Sequence, residues 1–331
     1  MTPCSFTTEL QEEQCIALEA TAGFRQRWPD VGISRGFVLP RARVGGALAS
    51  GPIGMDVELA AVRTGGEAGY LGVLGESIVP RVELWRAVGR WEPRDGLVLI
   101  GTAGLVPDRF VAAVDGGALV GGALPYALDR GLLDRSDLGG GVLLHTTTVD
   151  AAVDATSGEG LTRRERNDGV DLTAFVDVHP GEHLHVQLQA RDGSRGMDRA
   201  RDHRLAARVL VAFEHVDAGL ESVSAWGIDA DPLRTALGGS MFAVVEQGPV
   251  SGALRGDLTR YDGSATRMTG FGAVGLALPF NAESPPAHAW LGVERGHDDA
   301  AAAPLAGADA LANWTSLFLI IDTHLVHPEA P

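Results

Sequence analysis

The chain has 331 residues, with 43 acidic against 27 basic side chains and a formal charge of −16. Every basic residue is Arg, and that balance excludes the basic footprint of a general nucleic-acid binder, so no nucleic-acid partner is expected. The length suffices for a large core or one large barrel, and no run of about 18 apolar residues offers a transmembrane helix. Residues 1–15 read as a polar peripheral segment, and 16–331 as a single domain. The opening MTPCSFTTELQEEQ has neither the basic nor the apolar region of a signal peptide, so none is read there. Cys4 and Cys15 either pair in an oxidising compartment or stay as thiols, and their spacing leaves both open.

Residues 16–28 form a first strand, followed by the loop WPDVGIS. In 37–49, Val38, Ala42, Val44 and Leu48 oppose Arg41 and Arg43; Pro40 removes a ladder donor and predicts a bulge or strand start. After SGP, Met55, Val57, Leu59 and Ala61 oppose Asp56 and Glu58. A Gly-rich loop over 64–78 leads to the strand VPRVELWRAVGRW, the turn EPRDG and the strand LVLIGTA. Residues 104–137 show no sustained alternation, many Gly and small apolar patches suited to short helical turns. A loop of this length is usually functional or disordered. GGGVLLH and VDAAVDA are two short strands, and the loop after them carries the charge run TRRERND at 162–168.

The clearest element is 168–192, DGVDLTAFVDVHPGEHLHVQLQARD. Val170, Leu172, Ala174, Val176 and Val178 alternate with Asp171, Thr173, Phe175, Asp177 and His179, and the pattern resumes after Pro180 and Gly181. A period of two is the strand period, so this is a β-hairpin with one aliphatic face and one mostly polar face. A loop over 193–203 leads to a strand in which Leu205, Ala207, Val209, Val211 and Phe213 oppose Arg204, Arg208 and Glu214. EHVD turns the chain into a strand ending at Trp226, and 228–238 read as a loop. SMFAVVEQ pairs with a strand carrying Arg255 and Asp257; GFGAVGLALPF pairs with HAWLGVER; WTSLFLIIDTHLV is last.

Long and short connections alternate along this series, giving about sixteen strands with tight turns at one end and long loops at the other. That is the layout of an all-β, transmembrane antiparallel barrel of the outer-membrane type. No segment of period 3.6 covers the aliphatic faces, whereas lipid needs no such cover and closure satisfies every strand edge. Trp28, Trp91 and Trp314 stand near predicted strand ends, where an interfacial girdle is expected. The rival reading is a soluble β-rich protein, including a cupin-like metal-dependent enzyme. A third is a structural barrel that does not conduct.

FVLPRARVGGAL, VELWRAVGRWEPRDGLVLIGTAGLVPDRF and YALDRGLLDRSDLGGGVLL together resemble the phosphate-selective porin O and P family of bacterial outer membranes. The resemblance spans the chain from about residue 36. It implies a sixteen-stranded porin whose third long loop folds into the lumen, and a homotrimer. Arg41 and Arg43 match the family's arginine-bearing strand; the family's phosphate binders also use lysine clusters, and this chain has no Lys.

The alternation turns Arg41, Arg43, Asp56, Glu58, Asp171, Asp177 and His179 inward as pore-lining residues. His183, His185, Arg191, Arg204, Arg208, Glu214, Arg255 and Asp257 share that phase. Within 104–137, the expected constriction loop, Asp108, Arg109, Asp115, Asp129, Arg130 and Asp134 are the side chains able to face water. Imidazoles at His179, His183 and His185 suit a transition metal. PGEHLH resembles part of a cupin metal motif, but Gln187 and Gln189 stand where its Glu belongs, and polar lumen residues account for the histidines. No metal and no cofactor are expected. No G-x-S-x-G or phosphate-loop context appears, so no enzyme is expected. The reading is a passive outer-membrane channel for small hydrophilic solutes or ions, with outer-membrane lipid as its other partner. The inward charges balance and the overall charge is acidic, so a weak cation preference or near neutrality is expected, with no tight phosphate site.

Overall fold

The computed structural model describes residues 14–29, 34–63, 78–112, 126–129, 131–134, 136–158, 169–195, 200–228, 231–262, 265–278, 287–299 and 313–328. Alternating sequence becomes strand throughout. The first five are β1 (Gln14–Pro29), β2 (Ser34–Ser50), β3 (Ile53–Arg63), β4 (Ile78–Arg94) and β5 (Leu97–Pro107). Two short helices follow, α1 (Arg109–Ala112) and α2 (Tyr126–Asp129). Next come β6 (Ser136–Thr146), β7 (Val149–Thr156), β8 (Asp171–Gly181), β9 (Leu184–Arg195) and β10 (Ala200–Phe213). The series ends with β11 (Val216–Trp226), β12 (Thr235–Gln247), β13 (Val250–Tyr261), β14 (Ala265–Leu278), β15 (Ala287–Asp298) and β16 (Asn313–Pro328). Each strand pairs antiparallel with its sequence neighbours, and β1 pairs with β16 from Cys15 opposite Pro328 to Pro29 opposite Trp314, closing the barrel.

Closure answers what covers the aliphatic faces. On β8 and β9, Leu172, Val176, Val178, Leu184 and Leu188 lie exposed on the outer surface, while Asp171, Phe175, Asp177, Gln187, Gln189 and Arg191 are buried inside. The same phase puts Leu205, Leu220, Met241, Leu254, Val274, Leu291 and Leu319 outside on the later strands. Among the described residues the outer face of this closed sheet is an apolar belt, the surface that meets lipid and not water. It leaves the soluble cupin-like reading without support. Trp28 and Trp226, near the long-loop ends of their strands, and Trp91, near a tight turn, are exposed on this belt. Trp314 is a correction: it is 2% exposed and faces inward, because it shares the phase of the buried Ser316, Phe318 and Ile320, and Gly296 opposite it in register leaves the room an indole needs.

One end carries two-residue turns between β2 and β3, β4 and β5, β6 and β7, β8 and β9, β10 and β11, and β12 and β13. Gly51, Gly96 and Gly248 hold left-handed φ values of 56°, 73° and 60° there, which suits hairpin turns matched to strand twist. The other end is less uniform than the sequence predicts. β13 and β14 are joined by 262–264 alone, and Asp262 turns the chain with φ 48°. Strands also run past the sequence-read boundaries. β1 starts at Gln14, β12 at Thr235, and β9 and β10 extend through Arg195 and Ala200, with Gly193 opposite Asp202 and Ser194 opposite Arg201. Where a strand projects beyond the lipid belt its outer face turns polar, so pairing continues after the alternation has ended.

Candidate pore and its inward-folded segment

Between β5 and β6 the chain turns into the barrel. Asp108 starts α1: its carboxylate accepts from the Val111 N–H at 3.0 Å and its carbonyl from the Ala112 N–H at 2.8 Å. After α2, the Leu132 and Leu133 N–H groups both donate to the Ala127 carbonyl, and Gly131 makes the bend at φ 64°. Phe110, Val111, Tyr126, Ala127, Leu132 and Leu133 are buried against wall residues Ala152, Phe175, Ala206, Val223, Ala225, Ile228, Ala236 and Tyr261. The third long connection therefore folds inward and packs on the inner face of β7 to β13.

Polar side chains of the wall fasten it. Arg109 forms a two-pronged pair with Asp154 of β7, both bonds 2.8 Å. Gln189 of β9 donates to Asp108 at 2.9 Å. Arg208 of β10 donates to the Phe110 carbonyl at 2.5 Å, to Gln187 at 3.0 Å and to Glu221 of β11 at 2.7 Å, and its guanidinium lies 3.8 Å over the Phe110 ring. The other Glu221 oxygen accepts from the Ala127 N–H at 3.2 Å. Arg204 donates to the Leu132 carbonyl at 2.7 Å, and Arg191 stands 3.6 Å from Asp134. The Tyr126 hydroxyl meets Thr259 at 2.8 Å, over Gly238, where any Cβ would strike it.

The structure places the sequence-named residues in three groups. Asp171, Asp177, Arg191, Arg204, Arg208, Arg255 and Asp257 are buried on the inner wall; Asp56 is buried on β3 and Glu58 half-buried. His183 and Glu214 occupy two-residue turns and are exposed, so neither lies on the inner wall. The His183 ring bonds the Ala212 carbonyl at 2.8 Å and rests on Phe213, because the register shift after Val178 ends the regular phase before the turn. Arg41 and Arg43 stand in register with Thr21 and Glu19, and Asp129 ends α2; their side chains, with Asp115, Arg130, Cys4 and TRRERND, lie outside the described residues. Sequence reasoning missed Asp154, Gln187, Gln189, Glu221 and Thr259. The glutamines share the polar phase of β9, but the partners of Glu221 and Asp154 become visible only once register is known.

Arginine and carboxylate alternate around the wall as closed pairs. Arg86 bonds Asp56 at 2.6 Å, Arg191 bonds Asp171 at 2.7 Å, Arg204 pairs with Asp202, Arg255 bonds Asp257 at 2.9 Å, and Arg267 stands 3.3 Å from Asp298. Carboxylates outnumber these cations: Asp108 and Asp137 take hydrogen bonds from backbone, Gln or Ser groups, and Asp150 and Asp177 stand against His145 and His185.

Burial pushes the Asp108 carboxyl above its ordinary range, against the opposing pull of the Val111 N–H, Gln189 and the Arg191 charge. Its ionisation therefore opposes the folded arrangement. The contribution of this group is complete below the ordinary carboxylate range and is lost as pH rises through the raised value. Asn cannot ionise, and it gives up one acceptor at every pH. Asp108→Asn is thus expected to gain on the native chain as pH rises from about 4 to about 7. The check is the difference in heat-unfolding midpoint across that range; a difference independent of pH would contradict it.

No family model matches the chain, and no curated protein matches it by sequence. Solved structures do match its fold. The anion-selective porin from Comamonas acidovorans aligns with a TM-score of 0.65 at 10% identity, covering 94% of this chain and 99% of that one. Salmonella typhi OmpF, in complex with daunomycin, aligns at 0.63 and 9% identity, covering 94% and 98%. The trimer form of OmpT, an outer membrane protein of Vibrio cholerae, aligns at 0.55 and 11% identity, covering 93% and 99%. The chain shares the fold of these outer-membrane porin barrels.

Proposed function

We propose that the protein is a porin: a non-enzymatic barrel of the bacterial outer membrane that lets small hydrophilic solutes or ions diffuse through its lumen. One observation carries this reading. The described parts of the connection between β5 and β6 pack inside the barrel, fastened by Arg208, Arg109, Gln189 and Glu221, which supports a lumen narrowed without interruption of the wall. A barrel of this strand number is wide enough to leave an aqueous channel beside such a segment. In this reading the segment rests on β7 to β13, and solute passes along the side carrying Glu58, Arg86 and Arg90. A homotrimer fits the trimeric fold neighbour and the sequence resemblance to the O and P porins.

The same reading separates this chain from phosphate selectivity. Wall arginines committed to Asp171, Asp202, Glu221, Asp257 and Asp298 have little charge to offer a passing anion, and no lysine supplements them. The remaining carboxylates and the net charge of −16 favour cations at the mouth within about a Debye length, ~8–10 Å. The test is the reversal potential across a salt gradient in planar bilayers, repeated with phosphate added to chloride. A weak cation preference without phosphate block is expected. Strong anion preference with tight phosphate block would restore the phosphate-porin reading. A folded barrel that carries no current would favour the structural reading, which the density of interior ion pairs makes the specific alternative.

A further inference from the structure

Near the tight-turn end of the inner wall, Asp177 and His179 of β8 meet His185 of β9. One ligand atom from each lies within 4.8 Å of the other two. We propose that these three side chains form a divalent transition-metal site, with Zn²⁺ as its simplest occupant. The proposal holds whether or not the barrel conducts.

Register builds the site. Asp177 and His179 are two apart on one strand and so share its inner face, and the pairing of Asp177 with Gln187 and of Val178 with Val186 sets His185 across from them on β9. The His179 and His185 rings stack at 5.4 Å, and His145 of β6 stacks beyond His179 at 6.4 Å, held by Asp150 at 2.6 Å. Hydrogen bonding leaves the right atoms over. Gln187 and His185 both bond Oδ2 of Asp177, each at 3.0 Å, so the carboxylate is oriented while Oδ1 remains. That Oδ1 and Nδ1 of His179 are buried and take no hydrogen bond from the protein. A buried acceptor and a buried imidazole nitrogen left over at one spot normally cost stability, and a bound cation would satisfy both.

The chemistry fits. Two imidazoles and one carboxylate are a donor set used by Zn²⁺, Cu²⁺ or Ni²⁺, with water completing the shell. Bonds of about 2.0–2.2 Å draw tetrahedral ligand atoms to roughly 3.3–3.6 Å, so the present spacing closes by rotation of the side chains. The motif visible in sequence, His179 with His183 and His185, is not the one that assembles: His183 turns away to the Ala212 carbonyl, and Asp177 takes its place.

The experiment is equilibrium dialysis of the tag-free, detergent-folded full chain against Zn²⁺ alone, with the bound metal measured per barrel. One Zn²⁺ per chain is expected. Affinity should fall about tenfold or more in His179→Ala, His185→Gln and Asp177→Asn, and stay unchanged in His183→Ala. Each variant is first shown to keep the heat-sensitive mobility of the folded barrel, and three separate ligand variants guard against one that fails to fold. Absence of stoichiometric Zn²⁺, or equal binding by the ligand variants and the native chain, overturns the proposal. So does a loss in His183→Ala as large as that in His179→Ala.

Discussion

Replacing Arg208 with Ala is expected to loosen the inward segment and destabilise the barrel by about 3–5 kcal/mol, the usual cost of breaking a buried, hydrogen-bonded ion pair by removing one member. Arg208 is 1% exposed, and its guanidinium serves Glu221, Gln187, the Phe110 carbonyl and the Phe110 ring together. Its removal leaves Glu221 buried with only the Ala127 N–H from the segment, and takes the Phe110 carbonyl bond from the first turn of α1, which Arg109 and Gln189 still hold to the wall. Arg208→Lys keeps the charge but cannot fork to Glu221 while also reaching Phe110, so it should lie between Ala and the native chain. The measurement is the temperature at which the folded band disappears on a semi-native gel, combined with Glu221→Gln in a double-mutant cycle. Strong coupling between the two sites is expected; independent effects would mean that the pair does not hold the segment.

Excising 109–134 and joining the ends with a short Gly-Ser turn is expected to widen the pore on the order of two-fold in conductance without preventing assembly. Pro107 and Ser136 are register partners, so the ends already stand at hairpin distance. The wall pairs Arg208–Glu221 and Arg191–Asp171 join strand to strand, Arg204–Asp202 lies within β10, and all three survive the excision. Asp154 loses Arg109 and gains water, a mild change because the deletion also opens the site to solvent. Unchanged conductance from a correctly folded variant would place the segment away from the conducting path.

Much of this architecture is legible in the sequence, for a physical reason. Lipid demands an apolar outer face and water a polar inner one, so period-two alternation is written directly at Leu172 to Val178 and Leu184 to Ala190. The hairpins and the strand number follow from that alternation and from where it stops, whereas the inward fold of the third long loop is implied by the resemblance and by the small apolar residues of 104–137. What stays hidden depends on register. Glu221 and Arg208 are opposed only once β10 and β11 are aligned, and Asp154 meets Arg109 across a change of direction that no periodicity reports. Trp314 looked like a girdle residue because it stands at a strand end; the phase of β16, which buries Ser316, Phe318 and Ile320, turns it inward, and Gly296 on the neighbouring strand leaves room for its ring. His183 looked equivalent to His185 because the strand phase was carried into a turn that breaks it.

The central claim is that this barrel is a water-filled pore narrowed by the segment it folds inward. Single-channel recording of the purified, refolded native chain in planar bilayers, beside the 109–134 excision, tests it most directly. Discrete, stable conductance steps in the native chain, larger steps in the excision variant, and none in mock-refolded lipid are predicted. A folded, membrane-inserted native chain and excision variant that both leave the bilayer silent would contradict it.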